Sequence, residues 1–330
     1  MTFYWMFITN NEMSQSITTI SIEDNNIRLD RYIRRIFPDL RQSTIEKSLR
    51  RRLIEVDDCK AKSSDRVYYG QTITIKYLNY IKNANSDRRY NQELVNILKD
   101  NILYEDKYIL AVNKPTGVIV QGGIKGKVSI SDLLDRIREG KIFKIVHRLD
   151  KDTSGVIIFA HNTNVARYLM EEFKEQRVKK TYLALTSGIP SKNKGVIDYP
   201  LIKKCISGQE KVVVDKYSPQ SATTHFSVIA RLEQNVAYVK LQPITGRTHQ
   251  LRAHLAYINC PILGDGKYGG KKAFVNGIAN KIHLHSYSLS FKLPSNKEIT
   301  IIAPLPENFK KSIEVLYPPL LRGDYEIVAF

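Results

Sequence analysis

A chain of 330 residues, 42% hydrophobic and 25% charged, has the composition of a folded globular protein with room for one large domain and a small one, and is neither disordered nor fibrous. Its 51 Lys and Arg face 33 Asp and Glu, a formal charge of +18, which favours polyanionic partners. Three scattered cysteines, Cys59, Cys205 and Cys260, argue against a disulfide framework and a zinc site and fit a reducing, cytoplasmic setting, and no apolar run reaches the ~18 residues of a membrane span.

The apolar start Phe3–Ile8 has no basic residue before it and no small-residue cleavage site after it, so it does not read as a signal peptide. Organised sequence begins only after Met13, which stands beside Met1 as a candidate start. Residues 1–26 are therefore read as an N-terminal extension.

Residues 27–78 read helix, helix, strand, strand. Leu29, Ile33 and Ile36 share one face of a short helix that ends before Pro38. Ser43 and Glu46 form a Ser-x-x-Glu capping box opening a second helix through Ile45 and Leu49. Leu53–Val56 and Thr72–Ile75 follow as strands. Arg28, Arg31, Arg34, Arg35, Arg41, Lys47, Arg50, Arg51 and Arg52 crowd these two helices. A charge run is usually a solvated face, but arginines outnumbering acids near helix ends suit a phosphate backbone. Residues 79–92, rich in Asn and charge and without apolar periodicity, read as a linker.

Residues 93–330 mix strands and helices irregularly, which predicts an α+β domain and not a doubly wound sheet. Ile102–Tyr104 and Ile109–Val112 are strands, and Asn113–Gly117 a turn. Ser131–Ile137 is a short helix closed by Gly140. Ile142–Val146 and Val156–Ala160 are buried strands flanking His147-Arg148-Leu149-Asp150-Lys151-Asp152-Thr153-Ser154-Gly155. Carboxylates and cations held this closely between apolar strands need partners, and a rigid charged loop is a frequent place for an active site. Asn164–Gln176 is a helix burying Val165, Leu169 and Phe173; Lys179–Leu185 and Val236–Leu241 are strands; Thr248–Ile258 is a helix with Leu251, Leu255 and Ile258 on one face.

The stretch HRLDKDTSG resembles the catalytic motif of the RluA family of pseudouridine synthases. Three further segments resemble that family in its order: Lys180-Thr181-Tyr182, Gly246-Arg247-Thr248-His249-Gln250-Leu251-Arg252-Ala253-His254, and Pro261-Ile262-Leu263-Gly264-Asp265. The resemblance covers roughly Ile102 to Leu293. It implies a pseudouridine synthase fold with a mixed, mostly antiparallel central sheet. It also implies that Asp150 is the catalytic residue, that Tyr182 packs against the target base, and that Arg252, in preference to Arg247, forms a salt bridge with Asp150. Arg148 would take the space of the flipped uridine, Arg247 would contact RNA, and His147, Leu149 and Leu263 would line the pocket. The basic module at 27–78 more loosely resembles the S4 RNA-binding domain, so that Arg31, Arg34, Arg35, Arg50, Arg51 and Arg52 become RNA contacts.

Such an enzyme breaks a C–N glycosidic bond, turns the uracil and rejoins it through C5; nothing is oxidised and no cofactor is needed. A carboxylate acts as nucleophile or base, shielded from water. The sequence agrees in lacking other binding motifs. Gly264–Gly269 satisfies GxGxxG but follows no clear strand and sits in no βαβ unit. Gly122–Lys127 is one residue short of a phosphate loop and is followed by Val128. His249 with His254, and His283 with His285, lack the acidic or cysteine partners of a metal site, so no metal is expected. Within the family the module and the 198–220 stretch look most RluC-like. That implies several uridines of 23S ribosomal RNA as substrate, with RluD-like specificity the near alternative and a transfer-RNA enzyme behind it. From a different class, a non-catalytic S4-type RNA-binding factor would account for the charge but not for Asp150, Tyr182 and Arg252 together. No membrane and no obligatory protein partner is expected.

Overall fold

The chain divides between Asn91 and Gln92 into two units. The computed structural model describes residues 15–37, 40, 42–76, 92–121, 129–138, 143–206 and 208–317. The segment 79–91 of the expected linker, and Gly140, lie outside them; Gln92 already opens a helix.

The N-terminal unit runs β1 (Gln15–Thr19), a 3₁₀ turn (Ile22–Asp24), β2 (Ile27–Arg28), α1 (Leu29–Ile36), α2 (Gln42–Arg50), β3 (Ile54–Val56), β4 (Cys59–Lys60), β5 (Arg66–Val67) and β6 (Thr72–Lys76). Its sheet has the order β1-β6-β3-β4, with β2 paired to β5. Leu29, Ile33, Ile45 and Leu49 of the helices pack on Ile54, Ile73 and Ile75 of the sheet. Of the residues expected to form an extension, 15–26 belong to the folded unit, and 1–14 lie outside the described residues. β1 pairs antiparallel with β6 from Gln15↔Lys76 to Thr19↔Thr72, and Ile20 is only 1% exposed. A strand reading Gln-Ser-Ile-Thr-Thr carries little apolar signal; its place is set by the free edge of β6. Ser43 lies inside α2, which begins at Gln42, so it is not the N-cap. α2 ends at Arg50 and the chain reverses at Arg52 (φ 56°).

The second unit contains α3 (Gln92–Asp100), β7 (Ile102–Glu105), β8 (Ile109–Lys114), α4 (Ile130–Ile137), β9 (Lys144–Ile145), β10 (Ser154–Ala160), α5 (Thr163–Lys174) and β11 (Lys179–Ser187). It continues with β12 (Lys194–Asp198), β13 (Leu201–Ile206), β14 (Gln209–Val214), β15 (Thr223–Leu232), β16 (Val236–Pro243), α6 (Gln250–Tyr257) and α7 (Gly266–Gly269). β17 (Leu284–Lys292), β18 (Glu298–Ile302) and α8 (Glu307–Leu316) complete it. A 10-stranded sheet has the order β12-β15-β16-β11-β17-β10-β8-β7, with β18 on β17 and β9 on β10. Only β10 and β17 run parallel among its described pairs, so the sheet is mixed and mostly antiparallel.

Every residue of β10 is buried, because both faces are covered. Val156, Ile158 and Ala160 meet Val165 and Leu169 of α5; Ile157 and Phe159 meet Val95 and Leu98 of α3 and Leu133 of α4. This double burial is why the strand reads as an unbroken apolar run instead of an alternation. At the other end of the sheet, α8 covers Leu185 and Tyr238 with Phe309 and Ile313, while α6 covers Ala184 and Val239 with Leu251 and Leu255. One strand shrinks and another lengthens: the strand expected over 142–146 is only Lys144–Ile145, whereas β8 runs on through Asn113 and Lys114, which were expected to open the turn. The β13–β14 hairpin was not expected from the sequence: Leu201 and Val212 at its base are buried, but Lys203, Lys204, Gln209 and Glu210 break any apolar alternation in its outer half.

β10 and β17 approach so closely at Gly155 (φ +107°) that a Cβ there would stand 2.1 Å from the Ser286 carbonyl oxygen. Backbone on both sides leaves nothing flexible to yield. Gly155→Ala should therefore cost about 3 kcal/mol or more. Thermal unfolding should show it as a Tm lowered by roughly 5–10 °C; an unchanged Tm would mean the parallel pair is looser than described.

Candidate active site

The loop between β9 and β10 is pinned from below. Leu149 is 8% exposed and packs with Val112, Val120 and Ile157. His147 Nε2 accepts the Ile158 N–H at 3.0 Å, and its ring stacks on Phe173 at 4.6 Å. Burial, with a smaller contribution from the Lys180 charge, pushes that imidazole down to about 3. His147 is thus a neutral structural acceptor. The Lys151 carbonyl accepts both the Gly117 N–H at 2.9 Å and the Lys114 ammonium at 2.9 Å, and Thr153 N–H closes on the Asp150 carbonyl at 3.2 Å. Fully buried Lys114 also donates to the carbonyls of Pro115 and Val118, at 3.0 and 2.8 Å. With His147 and Leu149 held in the interior, Arg148 and Asp150, which alternate with them, face an open cleft.

The rest of the cleft comes from distant segments. Tyr182 and Lys180 reach it from β11, where pairing with β17 slips between Thr181 and Tyr182, the kind of irregularity that re-aims a side chain. Burial first, and the negative charge of Asp150 second, push the Tyr182 phenol up to about 12 against a hydrogen bond from Ser286 that works the other way, so it stays protonated. Lys180 donates to the carbonyls of Ile244 and Thr245 at 3.0 and 3.1 Å. The 245–252 segment forms the facing wall with Leu284. Buried Gln250 knits it: its amide N–H groups donate to Thr223 O and Thr224 Oγ1, both 3.0 Å, and its oxygen accepts from Thr245 Oγ1 at 2.7 Å and Arg247 N–H at 3.0 Å. Arg247 is exposed at the rim, its Nε donating to the Ser221 carbonyl at 3.1 Å.

At the centre stands the Asp150 carboxylate, whose side chain is 29% exposed, with His249 Nε2 3.8 Å from Oδ2. No hydrogen bond fills it among the described residues. The ion pair expected between Arg252 and Asp150 is not formed. Arg252 instead grips Asp265 through two bonds, Nε–Oδ2 2.7 Å and Nη2–Oδ1 2.8 Å, both partners nearly inaccessible. Burial works against the guanidinium's charge, and Asp265, joined by Asp150, more than restores it. Arg252 thus lines the cleft as a cation already neutralised by a buried partner.

Residues 108–257 match the RNA pseudouridylate synthase family. Curated relatives named ribosomal large subunit pseudouridine synthase C include one from Rickettsia felis, 38% identical over 86% of this chain and 94% of that protein. Another, from Buchnera aphidicola, is 32% identical over 94% of this chain and 100% of that protein. The chain belongs to the RluA family of RNA pseudouridine synthases. Among solved structures, human RNA pseudouridylate synthase domain containing 4 is similar with a TM-score of 0.56 and 30% identity, covering 67% of this chain and 95% of that one. As a member of this family the protein is an RNA isomerase.

In this synthase the sequence brought Arg148, Leu149, Asp150, Tyr182, Arg247 and Arg252 to one cleft. Two expected lining residues are corrected. His147 turns into the core, and Leu263, 0% exposed, packs with Leu183, Leu185 and Tyr287, leaving Leu284 to line the cleft. His249, Asp265 and Lys114 were missed as parts of the site. An Asp two residues after the apolar Pro261–Leu263 run was the available signal for Asp265, since a carboxylate carried into the interior there requires a cation. Among the described residues no cluster of three or more His, Cys, Asp or Glu is placed to hold a metal, and no helix is long and apolar enough to cross a membrane.

Proposed function

We propose that this chain isomerises several uridines of 23S ribosomal RNA in the cytoplasm, as an RluC-like synthase with Asp150 as its catalytic carboxylate. The single observation that carries the reading is Asp150 itself, a carboxylate without a hydrogen bond among the described residues, set in a cleft with Arg148, Tyr182 and Arg252. A nucleophile or base must keep its lone pairs for the substrate. Support for the large-subunit target comes from the names of the relatives. Arg148, exposed beside Asp150, fills the gap left by an extruded base, and its planar guanidinium suits stacking. Tyr182 packs against the flipped uracil. The direct test is tritium release from C5-labelled 23S ribosomal RNA by the purified enzyme. Mapping pseudouridine in a deletion strain then reads the sites, and loss at RluD-type positions instead would move the specificity to that neighbour.

The N-terminal unit is proposed to be an S4-like RNA clamp. Arg31, Arg34, Arg50 and Arg52 are exposed, although Arg34 also reaches Gln42 Oε1 at 2.7 Å. Arg35 is engaged by Asp24 and Arg28 by Asp30, which weakens both as phosphate contacts. Each backbone contact should contribute a salt slope of about −0.7 to −0.9. Replacing Arg31, Arg34, Arg50 and Arg52 together by Gln should flatten the slope on long ribosomal RNA by roughly 3 units, while a short stem-loop is still converted. An unchanged slope, read by filter binding across salt, would make this face a solvated surface.

A further inference from the structure

Tyr268, in α7, is 9% exposed and sits where three parts of the catalytic unit meet. Its hydroxyl lies 2.8 Å from His249 Nδ1 and 3.2 Å from the Val212 backbone nitrogen on β14. Its ring stands edge-on to the His249 imidazole, at 88°, and has Arg252 Cζ and Lys211 Nζ 4.9 and 5.1 Å from its centroid. Its own N–H goes to Asp265, the carboxylate that holds Arg252. His249 takes up an unusual backbone, φ 51° and ψ 21°, as the residue preceding α6, which is what turns its ring between Tyr268 and Asp150.

Counting protons assigns the histidine tautomer. A phenol has one proton and two lone pairs. Val212 N–H can only donate, so it takes a lone pair. Among the described contacts the phenol proton then has His249 Nδ1 as its acceptor. Nδ1 is therefore bare, and the neutral ring carries its proton on Nε2. That is the nitrogen 3.8 Å from Asp150 Oδ2, so a shift of about 1 Å or less would make it a hydrogen bond.

We propose that Tyr268 is a positioning residue. By donating to His249 Nδ1 it fixes the Nε2–H tautomer, which presents a donor to one oxygen of Asp150 and leaves the other for the substrate. Through Val212, the same hydroxyl ties that donor to the polar β13–β14 hairpin. The proposal rests on Asp150 being the catalytic carboxylate.

The test uses the full-length enzyme labelled with ¹⁵N-histidine. Long-range ¹H–¹⁵N correlation, with His249 assigned by the signal lost in His249→Gln, should show the Nε2–H form in the wild type and a mixture in Tyr268→Phe. The Phe variant keeps the ring and its packing, so its melting temperature serves as the fold control. On a stem-loop RNA its kcat should fall about tenfold with KM within threefold. In the His249→Gln background, where the Gln amide can still donate to Asp150, adding Tyr268→Phe should cost less than twofold. A wild-type ring protonated at Nδ1 would overturn the proposal. So would a tenfold loss that persists in the His249→Gln background, since Tyr268 would then act through another neighbour. Failure of the Asp150 reading is separately visible, as turnover surviving Asp150→Asn.

Discussion

Asp150→Asn should abolish pseudouridine formation, lowering turnover by about 10⁴-fold or more, while RNA affinity stays within severalfold. The amide matches the carboxylate in shape but supplies neither a nucleophilic oxygen nor a base at the C–N bond to be broken. The fold should be indifferent to the change. The Asp150 side chain contributes no described hydrogen bond, and the loop is held by Leu149, His147 and the Lys114–Lys151 contact instead. The reading is tritium release from C5-labelled RNA under single-turnover conditions, alongside filter binding. Pseudouridine formed by the pure Asn variant would transfer the chemistry to another residue of the cleft.

Arg252→Met is the second large effect, and stability is where it should appear first. Removing the guanidinium leaves the Asp265 carboxylate, 0% exposed, with the Tyr268 backbone N–H at 3.2 Å as its one remaining donor among the described contacts. Breaking a buried pair from one side costs roughly 3–5 kcal/mol. The variant should unfold at a clearly lower urea concentration and lose most of its activity. Arg247→Met, at the exposed rim, should leave stability unchanged and weaken RNA binding. The double variant Arg252→Met/Asp265→Leu separates the two roles of Arg252. Removing both charges should recover most of the stability, but not the activity if the cation also serves the cleft beside Asp150. Full activity in the double variant would make Arg252 purely structural.

Arg252 was recognisable from Gly246–His254, and its need for a carboxylate follows from helix α6 burying it among Leu251, Ala253 and Leu255. Two acids were available, Asp150 and Asp265, and spacing along the chain does not choose between them. The choice depends on how α6 lies over β11 and β16 and on where Asp265 caps α7, both of which are long-range packing results. His147 shows the same limit. It adjoins Arg148 and Asp150 in a polar-looking stretch, yet its ring accepts a backbone N–H in the core because the extended loop alternates its side chains between interior and cleft.

The sequence by itself determined the family, the α+β class and most helices and strands of the second unit, and it singled out Arg148, Asp150, Tyr182 and Arg252, which line one cleft. These are local signals: apolar periodicity that follows the backbone repeat, and short motifs whose residue types the chemistry demands. Tertiary structure decided the rest. β1 is a polar strand placed by the free edge of β6, and in the β13–β14 hairpin Lys203, Lys204, Gln209 and Glu210 interrupt the apolar residues, so neither has a clean alternation to announce it. The Arg252–Asp265 pair, the turn of His147 into the core and the approach of His249 to Asp150 all join residues on different elements, with no local pattern to pair them. Such contacts depend on sheet register, helix placement and the direction of single side chains, and these are set only when the whole core packs.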